Sequence, residues 1–148
     1  MKSLKLHTSL GVLVLSFALL VCTSHAQMFG NLLQMMGGTD VVQKLAGNFL
    51  KSSVSDPRLS SLLGKADTSA LTPKLADQMC SMLSGPCKAP LTNEQIAAGA
   101  SKVDPTQTKA LGENFSSSLD SVTSNPLVKE GVSKAIAPKL GGIVGALL

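Results

Sequence analysis

The chain has 148 residues, a formal net charge of +4, 4 Phe, and neither Trp nor Tyr. So small a charge argues against nucleic acid or an anionic membrane as a partner, and the few aromatic residues exclude a base-stacking platform. The length suits one domain with a modest core.

The first 26 residues have the features of a removable export signal. Lys2 and Lys5 precede an apolar run over residues 10–21, and Ser24-His25-Ala26 forms a small-x-small cleavage site. The run has about a dozen residues whereas a membrane span needs roughly 20, so we expect no transmembrane anchor after processing. The pattern predicts a signal peptide over 1–26, cleavage near Ala26, and an exported (periplasmic or secreted) domain over 27–148. Both histidines, His7 and His25, fall in the removed segment.

Apolar residues recur at helical spacing along the rest of the chain. A first helix is predicted after Thr39, a good N-cap, and it ends at Asp56-Pro57. A short turn with Leu59, Leu62 and Leu63 follows. The next helix is predicted over about 69–83, with Pro73 in its first turn, where no amide hydrogen bond is lost.

Helix-start signals predict the remaining helices. Thr92-Asn93-Glu94-Gln95 forms a capping box that opens a short helix through Ala98. Asp104-Pro105 starts another helix, and Asn125-Pro126 starts the last one, which Pro138 should kink. No stretch alternates with period two for long enough to form a strand, so the predicted class is all-α.

Cys80 and Cys87 remain after processing, and an exported protein meets an oxidising compartment. On one continuous helix the two residues would lie about 10 Å apart, beyond the reach of a disulfide. We predict that Gly85-Pro86 ends the helix and folds Cys87 back to form that disulfide. The alternative is two free thiols, one buried on a helix face and one in a loop.

Several segments, taken in order, resemble the group 1 truncated haemoglobins. Gly37-Gly38, Phe49, Asp56-Pro57-Arg58 and the Leu62-Leu63 pair look like the opening half of that family. Residues 75–87 are similar to the helix and turn of a cysteine-bearing subset, and residues 136–144 resemble the last helix. The resemblance covers nearly all of 31–145. It implies a truncated globin-like fold, a two-on-two helical sandwich with a short first helix that encloses a haem and binds diatomic gases.

The resemblance also places the haem contacts. It puts the iron-binding histidine at Ala98 and the distal tyrosine at Leu50, so this chain lacks the proximal histidine. The implied haem-pocket positions are Phe49, Leu50, Leu62, Leu63, Leu71, Leu75, Met79 and Ala98. Alternative iron ligands are Met79, Met82 and Cys80, although we favour the interpretation that these form a core stripe and a structural cysteine.

No catalytic constellation appears, because a Ser or Cys nucleophile has no histidine base and no S-x-x-K spacing replaces it. We expect a protein that is not an enzyme and has no cofactor, with haem as the alternative. Three hypotheses remain. The favoured one is a binding or interaction module without normal haem ligation. Its partner is unidentified, and the two candidates are haem and a small apolar ligand. The second is a haem or gas carrier with an unusual axial ligand. The third is a membrane-active helical protein, suggested by the apolar tail over 141–148.

Overall fold

The structure of this chain is a computed structural model that describes residues 32–148. The predicted signal peptide, its cleavage site and both histidines lie outside the described residues.

Helices account for most of the described chain. Residues 32–36 are helical, and short 3₁₀ turns at Pro57–Leu59 and Ala137–Lys139 precede the second and last of the helices that follow. No strand occurs within residues 32–148, which confirms the all-α class. These helices are α1 Thr39–Val54, α2 Ser60–Leu63, α3 Thr68–Met82, α4 Asn93–Ala100, α5 Pro105–Val122, α6 Pro126–Ile136 and α7 Leu140–Leu147.

The predicted helix starts are confirmed at three places. Thr92 and Gln95 form a reciprocal capping box at the start of α4. Asp104 and Gln107 form a second one at the start of α5. At the start of α6, the side chain of Asn125 accepts a hydrogen bond from the backbone N–H of Leu127 at 3.0 Å. Each cap satisfies an amide that the helix itself leaves unpaired.

Two details differ from prediction. Thr39 is the first residue of α1 rather than its cap, because Gly37 and Gly38 have φ values of 108° and 88° and Gly38 takes the N-cap position. Only glycine adopts such a backbone readily. Pro73 lies inside α3, past its first turn, because Asp67 caps the helix through the N–H groups of residues 69 and 70. One helical hydrogen bond is therefore missing at Pro73.

The helices form two packed layers. One contains α1 and α3, the other contains α5, α6 and α7, and α1 also contacts α5 across the layers. Phe49 of α1 and Phe115 of α5 meet edge to face at the centre, with ring centroids 6.0 Å apart and planes 78° apart. This geometry favours contact between the positive edge of one ring and the face of the other. Because α6 and α7 are two halves of one helix broken at Pro138, the arrangement matches the predicted two-on-two sandwich.

The apolar C-terminal tail packs within the fold. The sequence predicts one last helix with a kink at Pro138, whereas the structure breaks it there: α6 ends at Ile136, and α7 begins at Leu140 after a 3₁₀ turn. Ile143 is fully buried and Val144 is 3% exposed, so their side chains belong to the core. Across residues 32–148, every helix is too short or too polar to cross a bilayer.

Candidate functional site

Six of the positions implied by the resemblance come together in the hydrophobic core. Leu75 and Met79 of α3 have no exposed surface, so protein atoms surround both side chains. The four others are at most 8% exposed and belong to the same continuous cluster. They are Phe49, Leu50, Leu63 and Leu71.

The other two positions are placed differently. Leu62 is half-buried and packs against the edge of the core. Ala98 lies on the exposed side of α4, whose buried residues are Ile96 and Gly99. The structure therefore does not bring Ala98 together with the six core positions.

The candidate iron ligands occupy packed or paired positions. Met79 is fully buried, and Met82 is partly buried against the core. Cys80 is 1% exposed and lies beside Cys87, with their Cα atoms 5.8 Å apart. That separation is within the range that a disulfide spans. Within residues 32–148, no three His, Cys, Asp or Glu side chains cluster closely enough to hold a metal ion.

The chain reverses direction between the two cysteines, as the turn residues predicted. Helix α3 ends at Met82, and Ser84 has a φ of 59°. The backbone N–H of Gly85 then donates to the carbonyl oxygen of Cys80 at 2.8 Å. A Cβ at Gly85 would lie 2.5 Å from the Cys80 sulfur and 2.7 Å from Leu33. A larger residue there would force these neighbours apart.

A polar network ties the turn after α1 to α5. Arg58 donates through Nη2 to Asp56 Oδ2 and through Nη1 to Glu113 Oε2, both at 2.7 Å. Asn114 also donates to Asp56, at 3.1 Å. The hydrogen bonds from Arg58 hold the pKa of the Asp56 carboxyl well below its usual range, and those to Asp56 and Glu113 raise the pKa of Arg58. Asp56 and Arg58 are thus both ionised at neutral pH.

Helices α4 and α7 approach backbone to backbone. A Cβ on Gly142 would collide with the carbonyl oxygen of Ile96, and a Cβ on Gly145 would collide with that of Gly99. The absence of a side chain at these positions is what allows the approach. The two helices therefore contact each other through main-chain atoms.

An open groove runs beside this contact. It has a volume of about 370 Å³ and mixes apolar with polar side chains. Ala97 and Ala100 supply small apolar surface, while Lys139 supplies a cation and Asn93 an amide. The groove offers contact to a small apolar group and to an anionic or polar one.

The helices and their packing define a globin-like fold. The chain is similar to crystal structures of three variants of the truncated haemoglobin of Tetrahymena pyriformis in the Fe(III) form. Each superposes with a TM-score of 0.61 at 19% sequence identity, covering 70% of this chain and 89% of theirs. No protein-family model and no curated protein sequence matches the chain. This likeness confirms the truncated globin-like architecture.

Haem is the cofactor that the resemblance to truncated haemoglobins implies, and the residues present do not fit ordinary haem-iron ligation. Residues 32–148 contain no histidine, and the position where the resemblance expects one is the exposed Ala98. The thioether of Met79 is enclosed by the core, and the Cys80 sulfur faces Cys87. Axial ligation needs a donor side chain that faces the iron.

Sequence reasoning missed the glycine contacts between α4 and α7. The signal was present as Gly142 and Gly145, three residues apart and thus on one helix face. It also missed Gln78, a buried glutamine of α3 whose Oε1 accepts from the backbone N–H of Leu91 at 3.0 Å. No sequence pattern identifies that pairing, because its two residues meet only after the chain reverses at Ser84.

Proposed function

We propose that this protein is an exported, non-enzymatic binding or interaction module built on a globin-like fold, without normal haem-iron ligation. One observation carries the proposal. The positions at which the resemblance expects haem contacts offer no imidazole, and six of the eight are apolar side chains packed into the core. Of these eight side chains, Met79 alone carries a donor atom for iron, and its thioether is enclosed by the core.

The absence of enzymatic activity rests on the same inventory. General base chemistry near neutral pH most often uses histidine, and residues 32–148 have none. The carboxylates with shifted pKa values are Asp56 and Glu130, and both form ion pairs, with Arg58 and with Lys134. These pairs explain the shifts without a catalytic role.

The groove beside α4 is the surface that we propose for binding. Ala97 and Ala100 suit a small apolar ligand, and Lys139 suits an acidic group on it. An apolar fluorescent dye should bind there with saturation. The Ala97→Glu variant should weaken that binding, whereas Ala70→Glu, on the exposed start of α3, should not. Equal binding by both variants would place the binding surface elsewhere.

We also propose that Cys80 and Cys87 form a disulfide and that the protein is exported. The turn at Gly85 holds their Cα atoms at a bonding separation. Disulfides persist in oxidising compartments outside the cytosol. The basic start, apolar run and cleavage site over residues 1–26 support the same destination.

A haemin titration tests the central claim. The absorption spectrum of the purified protein is followed as haemin is added, with haemin in buffer alone and haemin with the urea-denatured protein as nonspecific controls. We expect no saturable one-to-one shift. Because His7 and His25 are the chain's two imidazoles, the titration is repeated with the His7→Ala, His25→Ala double variant.

The outcomes separate the alternatives. A saturable shift that survives in the double variant contradicts the proposal and points to Met79, Met82 or Cys80 as the iron ligand. A shift that disappears in the double variant assigns the donor to the N-terminal segment and shows that it was retained. The membrane-active alternative would show instead as partitioning of the protein onto lipid vesicles.

A further inference from the structure

Helix α4 is too short to be stable by itself. It spans eight residues, Asn93–Ala100, and isolated helices shorter than about 12–15 residues are marginal in water. The two residues that it buries are Ile96 and Gly99. With so little apolar surface in the core, α4 needs another contact to hold it in place.

The contact that α4 makes with α7 is unusually close. Gly99, Gly142 and Gly145 are all positions where a Cβ would collide with main-chain atoms of the facing helix. At such an approach the peptide groups themselves supply the dispersion and weak Cα–H to carbonyl contacts. Ile96 lies at the same crossing, since its carbonyl oxygen and its side chain both face Gly142.

We infer that this backbone contact between α4 and α7 stabilises α4 in place of a bond from the helix to haem iron. Helix α4 is therefore fully folded without any cofactor. The inference rests on the proposed absence of haem ligation. Ala98 agrees with it, because the residue at the expected ligand position faces outward while its neighbour Gly99 faces α7. The contact between α4 and α7 thus holds α4 in place independently of a cofactor.

Hydrogen–deuterium exchange on the purified full chain, without haemin, tests this directly. We expect the amides of α4 to be protected to the same degree as those of α7, because the two helices would open together. We also expect no change when haemin is added. Free exchange in α4, or protection that appears only with haemin, would overturn the inference.

A pair of glycine variants tests the contact itself. Gly142→Ala should speed exchange within α4 by roughly 10- to 100-fold, since a methyl group there forces the helices apart. Gly112→Ala in α5 is the matched control, because a Cβ at that position meets nothing within 4 Å. Protection of α4 that is equal in the two variants would contradict the inference. If Gly142→Ala fails to fold, the exchange of the wild-type protein decides.

The two proposals fail in different ways. A one-to-one haemin spectrum with α4 already protected before haemin is added contradicts the proposed function. It leaves the inference about the α4–α7 contact standing. Free exchange in α4, together with no one-to-one spectral shift of haemin, contradicts the inference about the α4–α7 contact. It leaves the proposed function standing.

Discussion

Gln78 of α3 is hydrogen-bonded to Leu91, the residue just before the N-cap of α4. Its Oε1 accepts the backbone N–H of Leu91 at 3.0 Å, and Leu91 directly precedes Thr92, the N-cap of α4. Gln78 is 4% exposed, so this hydrogen bond is shielded from water. The segment that follows the cysteine turn is thereby tied to α3 from inside the fold.

The Gln78→Leu variant should lose this link. The N–H of Leu91 would lose its partner in a partly buried place, which costs about 1–3 kcal/mol of unfolding free energy. Urea denaturation followed by circular dichroism measures the loss. Gln43→Leu on the exposed face of α1 is the control and should change stability by about 0.5 kcal/mol or less. Equal stability of the two variants would mean that the hydrogen bond contributes nothing.

The Asp56 and Arg58 ion pair predicts a loss of stability in acid. The hydrogen bonds from Arg58 depress the pKa of Asp56 in the folded protein, so the unfolded chain takes up its proton first as the pH falls. The stabilisation is present above the unfolded value of about 4 and is lost as the pH falls through the folded pKa.

Comparison of Asp56→Asn with the wild type measures this dependence. The wild-type melting temperature should fall more steeply between about pH 5 and pH 2 than that of the variant. Asp77→Asn, a substitution at an exposed position of α3, should retain the steep wild-type slope. Parallel curves for the wild type and Asp56→Asn would remove Asp56 as the cause.

The proposed disulfide predicts a stability difference on reduction. Closing so short a loop contributes roughly 2–3 kcal/mol in the chain-entropy model. Cys87→Ser should therefore unfold at lower urea than the oxidised wild type and should not respond to dithiothreitol. Reduced wild type should match the variant. Alkylation of both Cys80 and Cys87 in denatured, unreduced wild-type protein, located by peptide mapping, would show that the two cysteines are free.

The fold could be predicted further than the site. Helix starts at Thr92, Asp104 and Asn125 depend on residues a few positions apart, so local chemistry determines them. The predicted start of α1 lies one residue too late. The N-cap is Gly38, which has a positive φ, and not Thr39.

The candidate site depends on contacts between distant segments. The side to which Ala98 points is determined by how α4 rotates against α7, and that rotation depends on Gly142 and Gly145, more than 40 residues away in the sequence. Residue spacing alone fixes a position along a helix but not its orientation toward a neighbour. The sequence therefore identified the helix and could not tell which of its faces is buried.

Ala98→His tests that orientation. Because residue 98 is exposed, an imidazole there should point into solvent and bind haemin no better than any surface histidine. Lys102→His, just past the end of the same helix and also exposed, is the matched control. Haemin titration of the two variants should give the same weak, unsaturable spectra. A saturable one-to-one shift in Ala98→His alone would mean that α4 rotates in solution and that residue 98 can face a haem, as the resemblance to truncated haemoglobins implies.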